Sequence, residues 1–166
     1  MKGCDKQSRP SSLDEELEME NVYVVDTSVI IADPDVFCKL GRHRIIVPIA
    51  VKKELNGLML STVTRKADAA AKASRTLDDL GRRQNIAFGV ITLEGAFVRV
   101  FKRYVPVSEL EGWADNRIVG AALKLREENK YYNVVLLTND RKMRHITRSF
   151  GIQSEEYPLS MDQMAG

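Results

Sequence analysis

The sequence has little of what disulfide scaffolds and soft-metal sites are made from. It holds 2 cysteines and 2 histidines, and Cys4 and Cys38 stand far apart, without the short spacings of a zinc site. This excludes a disulfide framework and points to a reducing compartment, so a cytoplasmic location is expected. No apolar run approaches the roughly 20 residues needed to span a bilayer, and no hydrophobic segment of signal-peptide type opens the chain. No membrane partner is expected. Neither sign of charge is in large excess, since 25 Lys and Arg against 23 Asp and Glu leave +2. Net charge therefore argues neither for nor against a nucleic-acid partner, and local distribution has to decide. Nowhere does G-x-x-x-x-G-K-[ST] occur, so an ATPase domain working with this chain would lie outside it.

What is present suits one globular domain. The chain has 166 residues, 44% hydrophobic and 29% charged, enough to bury a core without staples. Residues 1–20 lack a core pattern and read as a flexible N-terminal tail; the folded unit is expected over residues 21–158, with a short C-terminal tail at 159–166. Val22-Tyr23-Val24-Val25 and Arg44-Ile45-Ile46-Val47 read as buried strands, and Asn133-Val134-Val135-Leu136-Leu137-Thr138 is the clearest central strand. Between the first two, a helical turn and a short helix flank Asp33-Pro34. Pro48 suits a first helical position, and Val51, Leu55 and Leu58 then share a helical face. Ser61 or Thr62 can cap a long helix ending near Gly81. Residues 86–101 lean towards β, as Ile86-Ala87-Phe88 and Phe97–Phe101, and suit an edge strand or hairpin. Helices follow from Ala114 to about residue 127 and from Arg141 to about residue 150, the latter stopped by Gly151. Strands alternating with helices predict an α/β fold with a mainly parallel sheet and right-handed crossovers.

In such a sheet, whatever follows a strand lies at one edge, where ligands bind. Asp26 ends the first strand, Glu54 falls in the second turn of the helix after the second, and Asp140 follows the last strong strand. Asp115 opens a helix that follows a loop, so it can start at the same edge. Each of Asp26, Asp115 and Asp140 taken singly reads equally well as a helix cap or dipole partner. Four carboxylates gathered at one place repel one another, about 4 kcal/mol for a pair 4 Å apart at an effective dielectric of 20. Such a group is stable when protonated or when bound to cations. Oxygen donors without histidine or cysteine suit Mg²⁺ or Mn²⁺ over zinc, and carboxylate-held metal pairs serve phosphodiester cleavage. Beside the acids, Thr27, Ser28, Thr138 and Asn139 read as polar supports for ligands or phosphate oxygens, or as simple caps.

In order, Val24-Val25-Asp26-Thr27-Ser28, Pro48-Ile49-Ala50-Val51-Lys52-Lys53-Glu54-Leu55, Ala114-Asp115-Asn116-Arg117-Ile118 and Leu137-Thr138-Asn139-Asp140 resemble the motifs of PIN-domain nucleases. The resemblance covers about residues 22–157. It is nearest to the PIN domain found N-terminal to PhoH-type ATPase domains, through Asp33-Pro34, the alanine-rich helix and Asp115-Asn116-Arg117-Ile118. One departure is Ser28, where the family often has asparagine. The resemblance implies a three-layer α/β/α sandwich and a metal-dependent endoribonuclease cutting single-stranded RNA by a two-metal-type mechanism. By position it assigns catalysis and metal ligation to Asp26, Glu54, Asp115 and Asp140.

A nuclease of this kind needs cations beside its acids to hold phosphates. Arg117, Arg141, Lys142 and Arg144 are the expected RNA contacts, with Arg148 extending the cluster and Arg65, Lys66, Lys72 and Arg75 on the long helix. Trp113 and Tyr104 read as core or hinge aromatics ahead of base-stacking ones, and His145 as a surface residue. Two other readings remain open on the sequence: a non-catalytic PIN module that binds RNA or protein, and the toxin ribonuclease of a toxin–antitoxin pair, with an antitoxin partner outside this chain. A homodimer is equally open.

Overall fold

Three of the strands are apolar almost end to end, so they need cover on both faces. In the computed structural model, which describes residues 19–159, Val22–Val25, Ile45–Val47 and Val134–Leu137 are all buried. They form the middle of a sheet with the order β3-β4-β2-β1-β5-β6. Its strands are β1 (Glu20–Val25), β2 (Arg44–Pro48), β3 (Val90–Ile91), β4 (Phe97–Phe101), β5 (Tyr132–Leu137) and β6 (Gln153–Glu155). All neighbouring pairs are parallel except β3 with β4. Strands buried on both faces are what a parallel centre requires.

The helices are α1 (Thr27–Ala32), α2 (Val36–Lys39), α3 (Ile49–Leu58), α4 (Thr64–Arg83), α5 (Trp113–Glu128) and α6 (Arg141–Ser149). The chain steps from β1 through β2 to β4 in one direction and then returns across the sheet to β5 and β6. With right-handed crossovers, this reversal puts the earlier and later helices on opposite faces. Accordingly α1, α3 and α4 pack on one another, while α5 lies against β1, β2 and β5 and meets α6. The result is the expected three-layer α/β/α sandwich. On one face α4 is amphipathic, burying Ala69, Ala70, Ala73, Leu77 and Leu80, while on the other α5 is buried all round over Ile118–Leu123.

Several boundaries differ from expectation. The expected tails lie almost wholly outside the described residues, and Glu20 already belongs to β1. Pro48 ends β2 and caps α3 instead of opening it. Neither Ser61 nor Thr62 caps α4: Val63 occupies that position, and the Ser61 hydroxyl accepts the Val63 N–H just ahead of the helix. That helix also continues past Gly81 to Arg83. Of the edge strand or hairpin expected, a hairpin is formed, but its first strand is Val90–Ile91, not residues 86–88. Asn85 Oδ1 accepts the Ala87 N–H and folds 85–88 into a turn. Gly89 then takes a φ of +110° with the Phe97 ring against its Cα, a place only glycine fills.

Candidate active site

The register brings the ends of β1 and β5 side by side. Val25 pairs with Leu137, so Asp26 and Thr138 emerge together, and the Asp26 N–H donates to Leu137 O at 2.9 Å. This is where the chain's direction across the sheet reverses, the point at which open α/β sheets bind ligands. Asp26 is buried, 4% exposed, and both oxygens of its carboxylate accept hydrogen bonds. Oδ1 accepts the Thr27 N–H at 2.8 Å, while Oδ2 accepts the hydroxyls of Ser28 at 2.6 Å and Thr138 at 2.7 Å. Those hydroxyls are themselves oriented from behind: Ser28 Oγ accepts the Asn139 N–H, and Thr138 Oγ1 accepts the Asp140 N–H, each at 3.1 Å. The capping role foreseen for Asp26 is present, since it stands at the N-cap of α1.

Glu54 arrives from α3 and accepts the Thr27 hydroxyl at 2.6 Å, so Thr27 links the first two acids directly. Burial pushes the Glu54 carboxyl above the usual carboxylate range, the Thr27 hydrogen bond opposes this, and the charges of Asp26 and Asp115 add to the rise. Asp115, in the first turn of α5, is also raised. Burial is the main cause, followed by the charges of Asp26 and Asp140, with Lys142 pulling the other way. Glu54 feels Asp26 and Asp115, and Asp115 feels Asp26 and Asp140, so four elements deliver four mutually repelling acids to one edge.

They do not form a closed chelate. Among the described residues no group of three or more His, Cys, Asp and Glu side chains is arranged to hold a metal ion as it stands. Two of the acids are already engaged locally: Asp26 accepts three hydrogen bonds, and Asp140 caps α6 by accepting the Met143 N–H at 3.1 Å. The set of four hard oxygen donors still suits Mg²⁺ in chemistry, since that ion keeps several waters and takes one or two carboxylates together with substrate phosphates.

The remaining candidates divide. Arg141 and Lys142 are exposed at the start of α6, and Lys142 is close enough to act on Asp115. Arg144 is committed elsewhere: its guanidinium donates to Thr138 O at 2.7 Å and lies 3.8 Å from Glu156, with its side chain 14% exposed. Arg148 likewise donates to Ser154 O. The Asn139 side chain turns from the pocket to accept the Tyr157 N–H at 3.1 Å. Arg117 stacks on Trp113, its guanidinium carbon 4.3 Å from the ring centroid. Trp113 and Tyr104, read from sequence as core or hinge residues, are 49% and 39% exposed.

Asn116 and Gly120 were not singled out by sequence reasoning, yet they hold the entry to α5. The Asn116 amide bonds both the N–H and the carbonyl of Val107. Val105 donates to Gly120 O at 3.0 Å, and a Cβ at Gly120 would overlap the Val105 carbonyl. Together they strap segment 102–107 across the helix and fix where Asp115 begins.

A model of the PIN domain family matches residues 23–158. The chain belongs to that family. PIN domains are a nuclease family, and the acids of this PIN domain stand where its sheet reverses direction. Two curated relatives, each called Protein PhoH2, agree with the expected kinship to PhoH-type proteins. The one from Thermobispora bispora is 32% identical over 144 residues, covering 84% of this chain and 32% of the relative. The one from Bacillus subtilis is 25% identical over 150 residues, covering 84% and 33%. The chain thus spans about a third of the length of these relatives. A solved domain of a functionally unknown protein from Methanocaldococcus jannaschii is similar in fold, with a TM-score of 0.52 at 21% identity, covering 85% of this chain and 93% of that one. No helix among the described residues is long and apolar enough to cross a membrane.

Proposed function

We propose that this PIN domain is a Mg²⁺- or Mn²⁺-dependent endoribonuclease that hydrolyses single-stranded RNA, with Asp26, Glu54, Asp115 and Asp140 as the metal-holding and catalytic residues. The observation that carries the reading is the mutual influence of these acids, which reach one edge from β1, α3, α5 and the end of β5. Carboxylates so placed are costly unless a cation or proton offsets them. A bound divalent ion would supply Lewis acidity there, activating a water and stabilising the leaving 3′ oxygen.

The chain's own residues do the positioning. Thr138 and Ser28 hold Asp26 in one rotamer, and Thr27 fixes Glu54 against it. Asp115 and Asp140 close the other side of the pocket, with Lys142 tempering the charge that an approaching phosphate meets. Arg141 and Lys142 offer exposed cations for the strand's backbone. Arg144, assigned to RNA from sequence, supports the β5–α6 turn in this reading.

The test uses a 5′-labelled single-stranded RNA with wild type and Asp115→Asn, in Mn²⁺ and in EDTA. Wild type is expected to give internal cleavage only with the ion, and the variant to lose at least about a hundredfold in rate, as removal of an electrostatic contributor typically does. Equal cleavage in EDTA, or a fully active Asp115→Asn, refutes the mechanism. RNA binding without any products would favour the non-catalytic module.

A further inference from the structure

We infer that Trp113, Tyr104 and Arg117 form a stacking platform for an unpaired nucleobase at the mouth of the carboxylate pocket. This rests on the nuclease reading for its RNA strand, but it concerns a different set of side chains. Trp113 is the first residue of α5 and Arg117 lies one turn on, so the two share a flank, while Asp115 leaves the same first turn in another direction. The Arg117 guanidinium carbon sits 4.3 Å from the Trp113 centroid and 5.1 Å from that of Tyr104. Lys53, next to Glu54 on α3, brings its ammonium 5.8 Å from the same indole. The patch therefore spans the gap between the helices that deliver Glu54 and Asp115.

Two partly exposed aromatic rings are held with two cations beside the helices that carry Glu54 and Asp115. Packing does not account for the rings, because 49% of Trp113 and 39% of Tyr104 remain exposed. Their support is rigid nonetheless. Tyr104 belongs to the segment strapped across α5 by Gly120 and Asn116, and Trp113 is fixed at the helix start. Bases stack on such rings with little regard to sequence, since every base has a π-face, and arginine beside them adds attraction to both base and phosphate. A base paired in a duplex has no free face to offer. The platform thus makes the site selective for unpaired strands and tolerant of sequence.

Trp113 is the only tryptophan in the chain, so its fluorescence reports on this patch directly. The full chain is titrated in EDTA at low salt with a short oligouridylate, an abasic ribose-phosphate oligomer of equal length, and tripolyphosphate. Saturable quenching by the oligouridylate alone is expected. By anisotropy with a labelled oligonucleotide, Trp113→Ala should weaken binding about tenfold, within the range for one lost base stack, and Trp113→Phe should recover most of it. A circular dichroism melt on each variant checks that the fold is retained. Absence of quenching, equal quenching by the abasic oligomer, or unchanged affinity in a folded Trp113→Ala overturns the platform. Because no step needs a divalent ion, failure here leaves metal-dependent cleavage standing, and failure of cleavage leaves a positive quench standing.

Discussion

At the scale of single residues, Asp26 and Asp115 are both acids of the pocket but differ in what they hold up. Asp26 accepts one backbone N–H and two hydroxyls. An asparagine has one accepting oxygen, so Asp26→Asn leaves donors unmatched and should cost about 1–3 kcal/mol of stability. Asp115 accepts no comparable set, and its carboxyl is raised chiefly by burial and then by the charges of Asp26 and Asp140. The sign follows from linkage: a carboxyl whose folded pKa lies above its unfolded one adds stability at acid pH, and that contribution is lost as pH rises through the folded value. At pH 7 in EDTA, Asp115→Asn should therefore melt at or above the wild-type temperature, and the gap should close as pH falls towards about 4, the ordinary carboxylate pKa. Calorimetry with and without Mn²⁺ checks this: the ion should raise the wild-type melting temperature and barely move that of the variant. Asp115→Asn is thus the cleaner probe of catalysis, and Asp26→Asn the more ambiguous one. Asp26 and Asp140 were legible in the sequence because a parallel sheet sends strand ends to one edge, and Glu54 and Asp115 because each sits near the start of a helix that can begin at that edge. The exposure of Trp113 and the commitment of Arg144 to Thr138 O were not, because neither side chain's identity says which neighbours surround it.

At the scale of elements, the start of α5 depends on residues that look weak in isolation. Gly120 costs helix propensity, by about 1 kcal/mol relative to alanine, and its use appears only when segment 102–107 lies across it. Gly120→Ala should destabilise by about 1–3 kcal/mol despite the better propensity, and it should lower cleavage by shifting Asp115. Denaturant melts and the RNA assay together check both effects. The same lesson applies to the edge hairpin. Ile86-Ala87-Phe88 has strand-like residues, but Asn85 closes a turn there and Gly89 permits the reversal, so the strand begins only at Val90. Residue composition pointed to an edge strand or hairpin, and side-chain-to-backbone bonds decided where it starts.

At the scale of the whole molecule, the last described segment is tied to the first helix. The Tyr157 hydroxyl donates to Asp33 Oδ2 at 2.6 Å, and Lys39 reaches the same oxygen at 2.8 Å. Burial alone would raise the Asp33 carboxyl, but the bonds from Lys39 and Tyr157 outweigh it and hold it below its ordinary value. A depressed folded pKa adds stability above the unfolded one and loses it as pH falls through the folded value. Tyr157→Phe should therefore lower stability near neutrality, and the difference from wild type should shrink as pH falls through the carboxylate range, as followed by denaturant melts with circular dichroism at neutral and acid pH. The α/β/α plan and its parallel centre were legible because Val22–Val25 and Val134–Leu137 are too apolar for a solvent-facing strand. This long-range tie was not, because nothing local in Tyr157 or Asp33 names its partner.

The sheet's borders carry one more consequence. β3 is 2 residues long and β6 is 3, so each margin offers only a brief row of backbone donors and acceptors to a passing chain. Long open margins are where globular proteins nucleate intermolecular β-ladders, and short ones blunt that hazard. Despite a centre of valine, isoleucine and leucine, the folded domain should resist fibril seeding through these margins.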